Sequence, residues 1–207
     1  MAVAGAPAAV VQLAERAGTD ERRHATHCQT YVTLHGGPVL AGTQPLLVEY
    51  APAYLSGPQQ LLYEVVAQAC IAETQSMTTL VTLLDAVESP DLRAVLHELA
   101  RDEVNHSRLG WAFLAWAAQE QDVSFLGPLL PAMLDANSGP ELFRAGKPEE
   151  EDTDLFQHGV VPHRMRRDLY IETLESVMLP GFEQHPIETA AAHAWLATKR
   201  QLPIHLI

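Results

Sequence analysis

Apolar residues recur at helical spacing along most of the chain, and glycine and proline cut the pattern into segments. Over 8–34, Val10, Leu13, Ala14, Ala17, Ala25 and Cys28 line one side of an expected helix. Pro7 suits its first turn, where a missing N–H costs nothing, and Gly36-Gly37-Pro38 ends it. Gly18 falls inside this helix at a cost of about 1 kcal/mol against alanine, which points to close packing of a neighbouring helix there. Residues 38–57 carry turn-forming stretches at Pro38, Gly42, Pro45 and Pro52 to Gly57 without a sustained period. They read as an ordered crossover lying over the helices.

The most apolar helix is expected over 58–88, with Leu61, Leu62, Val65, Val66, Ile71, Leu80 and Leu83. Ser89-Pro90-Asp91 makes a short turn into a helix over 92–119, so these two run antiparallel as neighbours. After Asp122 the pattern loosens. A short apolar helix fits 129–134, and the acidic run Glu149-Glu150-Glu151-Asp152 reads as a mobile, solvated loop. A last strong helix is expected over 163–179, stopped by Pro180-Gly181, and a final short one over 190–199 around Trp195, before a tail at 201–207. The fold class is therefore all-α: a helical bundle over 1–122 and a C-terminal helical extension over 123–207 packed on it.

At 207 residues and 47% hydrophobic, the chain is long enough for one domain with a substantial core. Its net charge of −13 and the lack of any basic cluster argue against a nucleic-acid partner, because phosphate binding needs grouped Lys and Arg. No run of eighteen or more uncharged apolar residues exists to cross a membrane, and the N-terminal stretch lacks the basic residues and apolar core of a secretory signal. A cytoplasmic location is expected. Cys28 and Cys70 sit in helical, mostly apolar contexts and lack a Cys-x-x-Cys spacing. They are expected to be buried thiols in a reducing compartment.

The chemistry lies in a pattern written twice. Asp20-Glu21-Arg22-Arg23-His24 and Asp102-Glu103-Val104-Asn105-His106 are related by a shift of 82 positions, each a Glu-x-x-His inside a helical segment. Residues three apart share a helix face, so the carboxylate and imidazole of each copy point the same way. Between the copies, Glu73 interrupts the most apolar helix. A carboxylate there must be paired, protonated or metal-bound if it is buried, and otherwise it faces solvent or an arginine. Counted from the turn at Pro90, Glu73 and Glu103 lie at depths that differ by only about 6 Å along antiparallel helices. Two Glu-x-x-His helices with glutamates from neighbouring helices make the ligand set of a dinuclear carboxylate site.

The sequence resembles the ferritin-like superfamily of di-iron and di-manganese proteins. More narrowly, it is similar to bacterial ferritin-like domain proteins whose second Glu-x-x-His runs into Gly-Trp, as His106-Ser107-Arg108-Leu109-Gly110-Trp111 does. The resemblance implies an antiparallel helical bundle binding two iron or manganese ions. Glu21 and Glu103 would bridge, His24 and His106 would each bind one metal, and Glu73 would be a terminal ligand. It also implies a further glutamate on a helix preceding the first Glu-x-x-His. Only four residues precede Gly5-Ala6-Pro7, whereas an antiparallel partner at the depth of Glu21 needs about fourteen, and Glu15 is turned about 120° away. The first bundle helix is therefore expected to be missing, to lie upstream of Met1, or to come from another chain or a homo-oligomer, with an apolar groove open along Val10, Leu13, Leu80 and Leu99. Asp20 and Asp102 would each orient the histidine of the facing helix, His27 would either join them or sit on the surface, and Glu172 and Glu175 are assigned to structure.

The function implied is a non-haem dinuclear metal protein, an oxidoreductase acting with O₂ or peroxide on an unspecified substrate. The alternative is a ferritin-like scaffold with incomplete metal binding that acts through protein contacts.

Overall fold

A computed structural model describes residues 5–38 and 50–201. Every regular element among the described residues is helical, so the all-α class holds. Helix α1 spans Ala8–Leu34 behind Pro7 and is left through Gly36 in the left-handed region at φ +75°. Helix α2 (Gly57–Val65) runs through a π turn at Val66–Ala72 directly into α3 (Glu73–Ala86). Ser89 accepts from the Leu92 amide at 3.4 Å and caps α4, Pro90–Glu120. The link between α3 and α4 is three residues, which forces them antiparallel. Helix α4 is the central element: α1 packs on one side of it, and α3 with the π turn on another.

The extension folds back onto this unit. A 3-10 segment at Ser124–Leu129 leads into α5 (Leu130–Ser138). After 3-10 turns at Pro148–Glu151 and Thr153–His158, α6 (His163–Thr173) continues through a π turn at Leu174–Met178 into α7 (Leu179–Glu183). Helix α8 is Ala190–Arg200. Leu62, Ile71 and Leu114 of the bundle are fully buried in one core with Leu130, Met133, Leu174 and Phe182 of the extension. A second, smaller apolar cluster holds Leu83, Val87, Leu92 and Leu96.

The space between the two clusters locates the chemistry. Along α4 the small cluster ends at Leu96 and the main core begins at Leu109, with buried Asp102, Glu103, His106 and Ser107 between. Going down α2 and α3, the main core ends at Ile71 and the small cluster begins at Leu83, with Glu73 and Thr74 between. On α1 the only buried residues are Val10, Asp20 and His24. Two of those three are polar, so α1 is seated on the bundle through its ion-pair chemistry as much as through apolar area.

Several expectations change. Gly18 is exposed, and a Cβ there would meet nothing within 4 Å, so it serves no close packing. Gly110 does that work instead: a Cβ at this position would lie 2.6 Å from the Cys70 amide nitrogen and 2.7 Å from the Ala69 carbonyl oxygen. Cys70 is buried as expected, whereas Cys28 is exposed, because α1 turns only a narrow stripe inward. Val10, expected to line an open groove, is buried in the main core, and Leu13, Leu80 and Leu99 are half-buried. The acidic run is structured: Glu150 accepts from Arg144 Nη1 at 2.8 Å and Glu151 lies 3.8 Å from His163 Nδ1. Pro180-Gly181 does not stop the last long helix, since the π turn just before it already shifts the hydrogen-bond register where proline lacks its N–H. The crossover expected over 38–57 lies largely at 39–49, outside the described residues, as does most of the 201–207 tail.

Candidate metal centre

Helical spacing alone aims each Glu-x-x-His pair inward, and the α1–α4 contact brings the two pairs face to face. The rings of His24 and His106 lie with centroids 5.6 Å apart. Both present Nδ1 to the same space. His106 Nδ1 is 3.1 Å from Glu21 Oε1, 3.3 Å from Glu103 Oε2 and 4.0 Å from Glu73 Oε2. His24 Nδ1 is 3.6 Å from Glu21 Oε1 and 3.7 Å from Glu103 Oε1. Glu103 thus turns one oxygen toward each imidazole. One donor atom from each of Glu21, Glu73, Glu103 and His106 falls within 4.8 Å of all the others. His24 stands at the edge of that group, facing Glu21 and Glu103 only.

The other ring nitrogens face aspartates on the opposite helix. His24 Nε2 is 3.3 Å from Asp102 Oδ2, and His106 Nε2 is 3.5 Å from Asp20 Oδ2. A carboxylate at Nε2 favours the tautomer that protonates this atom and leaves the Nδ1 lone pair pointing inward. The repeat found in the sequence thus appears in space as facing pairs between α1 and α4: His24 Nε2 is hydrogen-bonded to Asp102, while His106 Nε2 and Asp20 Oδ2 face each other without hydrogen-bond geometry. Arg23 joins the two halves: its Nη2 donates to Asp20 at 2.9 Å and to Asp102, and its Nε lies 2.7 Å from Glu98. The corresponding position on α4 is Asn105, so Arg23 alone spans both aspartates, with Arg16 beside Asp20 and Arg101 beside Asp102 on their own helices. His27 lies 3.3 Å from Glu98 and takes no part in the inner group.

Electrostatics follow from this crowding. Burial alone would raise Asp102, but the bonds from His24 and Arg23 outweigh it and hold the carboxyl below the usual range. Burial, then the neighbouring Glu103 carboxylate, pushes Glu73 up to about 9. Burial works to lower His106, yet Glu103 and Glu21 overcome it and lift the imidazole to about 10. Against burial, His106 and Glu73 together hold Glu103 low. The cluster is therefore a place where carboxylates must share protons to stay close.

Two observations test whether these residues fit a cation. Glu103 Oε2 and His106 Nδ1 are buried and lack a partner with hydrogen-bond geometry, although they are 3.3 Å apart. Buried polar atoms are normally satisfied, and these two belong to the group whose donor atoms all lie within 4.8 Å of one another. The donor set, carboxylate oxygens with imidazole nitrogen, is one that divalent cations accept.

Three features not legible in the sequence support the site. The π turn at Val66–Ala72 ends immediately before Glu73, and such turns recur at functional positions because they re-aim the residues that follow. Gly110 lets α4 press against that turn. Thr74, next to Glu73, shares a 2.9 Å hydrogen bond with Ser107, next to His106, and accepts from the Trp111 indole at 3.2 Å. A Cβ on Gly181 would meet the Trp111 ring at 2.7 Å, so α7 holds this indole in place. The Gly-Trp after the second Glu-x-x-His is thereby explained as packing around Glu73. Glu175 is paired with Arg200 at 2.6 Å, away from the cluster. No helix among the described residues is long and apolar enough to cross a membrane.

No family model, curated protein or solved structure matches the chain.

Proposed function

We propose that this chain is a ferritin-like dinuclear metal protein that binds two iron or manganese ions between α1, α3 and α4 and works as an oxidoreductase with O₂ or peroxide. The observation that carries this reading is the pair of imidazoles that present Nδ1 to a shared carboxylate group while each Nε2 meets an aspartate of the facing helix. In this assignment Glu21 and Glu103 would serve both ions, His24 and His106 would each hold one, and Glu73 would complete the set. Bound iron or manganese would supply the electron-transfer chemistry that O₂ or peroxide requires. The chain's own residues prepare for it. Asp102 holds the His24 tautomer through its hydrogen bond, Asp20 faces His106 from the opposite helix, Arg23 ties the two aspartates together, and apolar clusters flank the site.

Two observations favour the alternative, a scaffold with incomplete metal binding that acts through protein contacts. The side chain of Glu21 is 53% exposed, and the tight four-residue group excludes His24. Stoichiometry separates the two. After anaerobic Fe²⁺ loading and desalting, metal analysis is expected to approach two ions per chain, and the Glu103→Ala, His106→Ala double variant is expected to retain almost none. A ratio near one supports the alternative, and equal metal in both proteins removes the metal assignment.

Loading also has a proton signature. At about pH 7.5, below both shifted values, Glu73 and His106 each hold a proton in the metal-free protein. Ligation needs the carboxylate and the neutral imidazole, so Fe²⁺ binding is expected to release up to about two protons and to tighten as pH rises. A pH indicator in weakly buffered solution reads this directly. Full metal uptake without acidification would show that neither group is a ligand.

A further inference from the structure

On the side of α3 that faces the extension, α3, α5 and α6 enclose two adjoining hollows of about 290 and 280 Å³, which share Gln75, Thr79, Asn137 and Tyr170 in their walls. Together they form one cleft with unlike ends. One end is lined by Arg166, Glu141 and Ser138, the other by Ala72, Ser76 and Leu80.

Most polar groups of the shared wall are already spent. Asn137 Nδ2 donates to the Ala67 and Met133 carbonyls at 3.1 and 2.9 Å. Tyr170 donates to the Leu134 carbonyl at 3.2 Å. Thr79 gives its hydroxyl proton to the Gln75 carbonyl at 2.9 Å and accepts from Gln75 Nε2 at 3.4 Å. That exchange fixes the orientation of the Gln75 amide, because the Thr79 hydroxyl has no second proton to give. Gln75 Oε1 is thus an acceptor, and it is buried without a partner. At the polar end, the Arg166 side chain makes no ion pair or hydrogen bond among the described residues, and the Glu141 carboxylate is engaged there only by Arg144, through one of its oxygens. The groups left over are one guanidinium, two or three oxygen acceptors and a small apolar surface.

We propose that this cleft binds a free apolar α-amino acid. Its carboxylate pairs with Arg166, its ammonium group donates to Gln75 Oε1 and the Glu141 carboxylate, and its side chain lies against Ala72 and Leu80. An arginine fork matches a carboxylate in a bidentate pair. The compartment sizes lie at the lower edge of small-molecule sites, which run from about 300 Å³ upward, and admit a molecule of that class. The site is separate from the metal cluster, on another face of the helix that carries Glu73, and the proposal holds whether or not metal binds.

The test is calorimetric titration of the full chain with L-leucine, L-methionine and L-phenylalanine, each beside its N-acetyl form, which lacks the ammonium charge, and its amide, which lacks the carboxylate. Saturable binding of at least one free amino acid is expected, at least tenfold tighter than either derivative. Arg166→Gln, an exposed position whose fold is checked by circular dichroism, is expected to erase the preference over the amide. Gln75→Leu is expected to weaken the free amino acid and leave the preference over the amide intact. Absence of saturable binding for all three, or equal binding of free and derivatised forms, overturns the proposal.

Discussion

Replacing Gly110 by alanine is expected to lower the melting temperature by roughly 5–12 °C, while the same change at Gly18 raises it by a few degrees. The new methyl at Gly110 would sit 2.6 Å from the Cys70 amide nitrogen and 2.7 Å from the Ala69 carbonyl oxygen, and backbone cannot swing aside as a long side chain can. Overpacking costs about 1–3 kcal/mol, and against rigid backbone the upper end, about 2.5–3 kcal/mol, applies; each kcal/mol moves the midpoint of a chain this size by about 2–4 °C. At Gly18 nothing lies within 4 Å and the backbone is helical, so alanine only removes the glycine penalty of about 1 kcal/mol. Thermal unfolding of the two metal-free variants beside wild type checks both signs at once. Because the Gly110 contact is made to the π turn that ends at Glu73, Gly110→Ala is also expected to weaken Fe²⁺ binding, whereas Gly18→Ala leaves it unchanged. Equal melting temperatures for Gly110→Ala and wild type would mean that α4 and the π turn are not in contact.

The contrast between these glycines shows where the sequence is readable and where it is not. Helical period and punctuation placed the bundle helices, because apolar spacing and the Gly-Pro breaks act locally. The duplicated Glu-x-x-His and the intervening Glu73 were also visible, since side-chain direction on a helix follows from spacing alone. A glycine, however, looks the same whether a neighbouring backbone touches it or not. Gly18 carried the sequence signal and Gly110 makes the contact. The π turn before Glu73 leaves no mark in a pattern of apolar residues, so its effect on the aim of the carboxylate was hidden. Cys28 misled for a related reason: a helix seated through Asp20 and His24 buries a narrower stripe than its composition suggests. Arg23 was indistinguishable from Arg22 in the sequence, yet only Arg23 reaches across to Asp102. The pairing of Gly181 with Trp111 joins residues seventy positions apart and depends on the whole extension folding back.

Glu73→Gln is expected to raise the stability of the metal-free protein and lower its affinity for metal, two effects of opposite sign from one atom. The metal-free carboxyl is pushed from 4.5 to about 9, first by burial and then by Glu103. Between those values the folded state holds a proton that the unfolded state has lost, so folding must take one up, and stability contributed at this position falls as pH rises from about 5 toward 9. Glutamine has the shape of the protonated acid and needs no proton. Metal-free Glu73→Gln should therefore match wild type near pH 5 and exceed it by roughly 1–3 kcal/mol at pH 8, a figure kept below the full shift because Glu73 is 27% exposed and coupled to Glu103. Toward a cation the exchange is unfavourable. A neutral amide oxygen replaces an anionic one, the amide cannot gain charge by losing a proton, and affinity for Fe²⁺ is expected to fall by about tenfold to a hundredfold. Denaturant unfolding of metal-free protein at pH 5 and pH 8, with Fe²⁺ titration of the same samples, separates the roles. A variant less stable than wild type at pH 8 would place Glu73 as an ionised, paired group, and unchanged Fe²⁺ affinity would take it out of the ligand set.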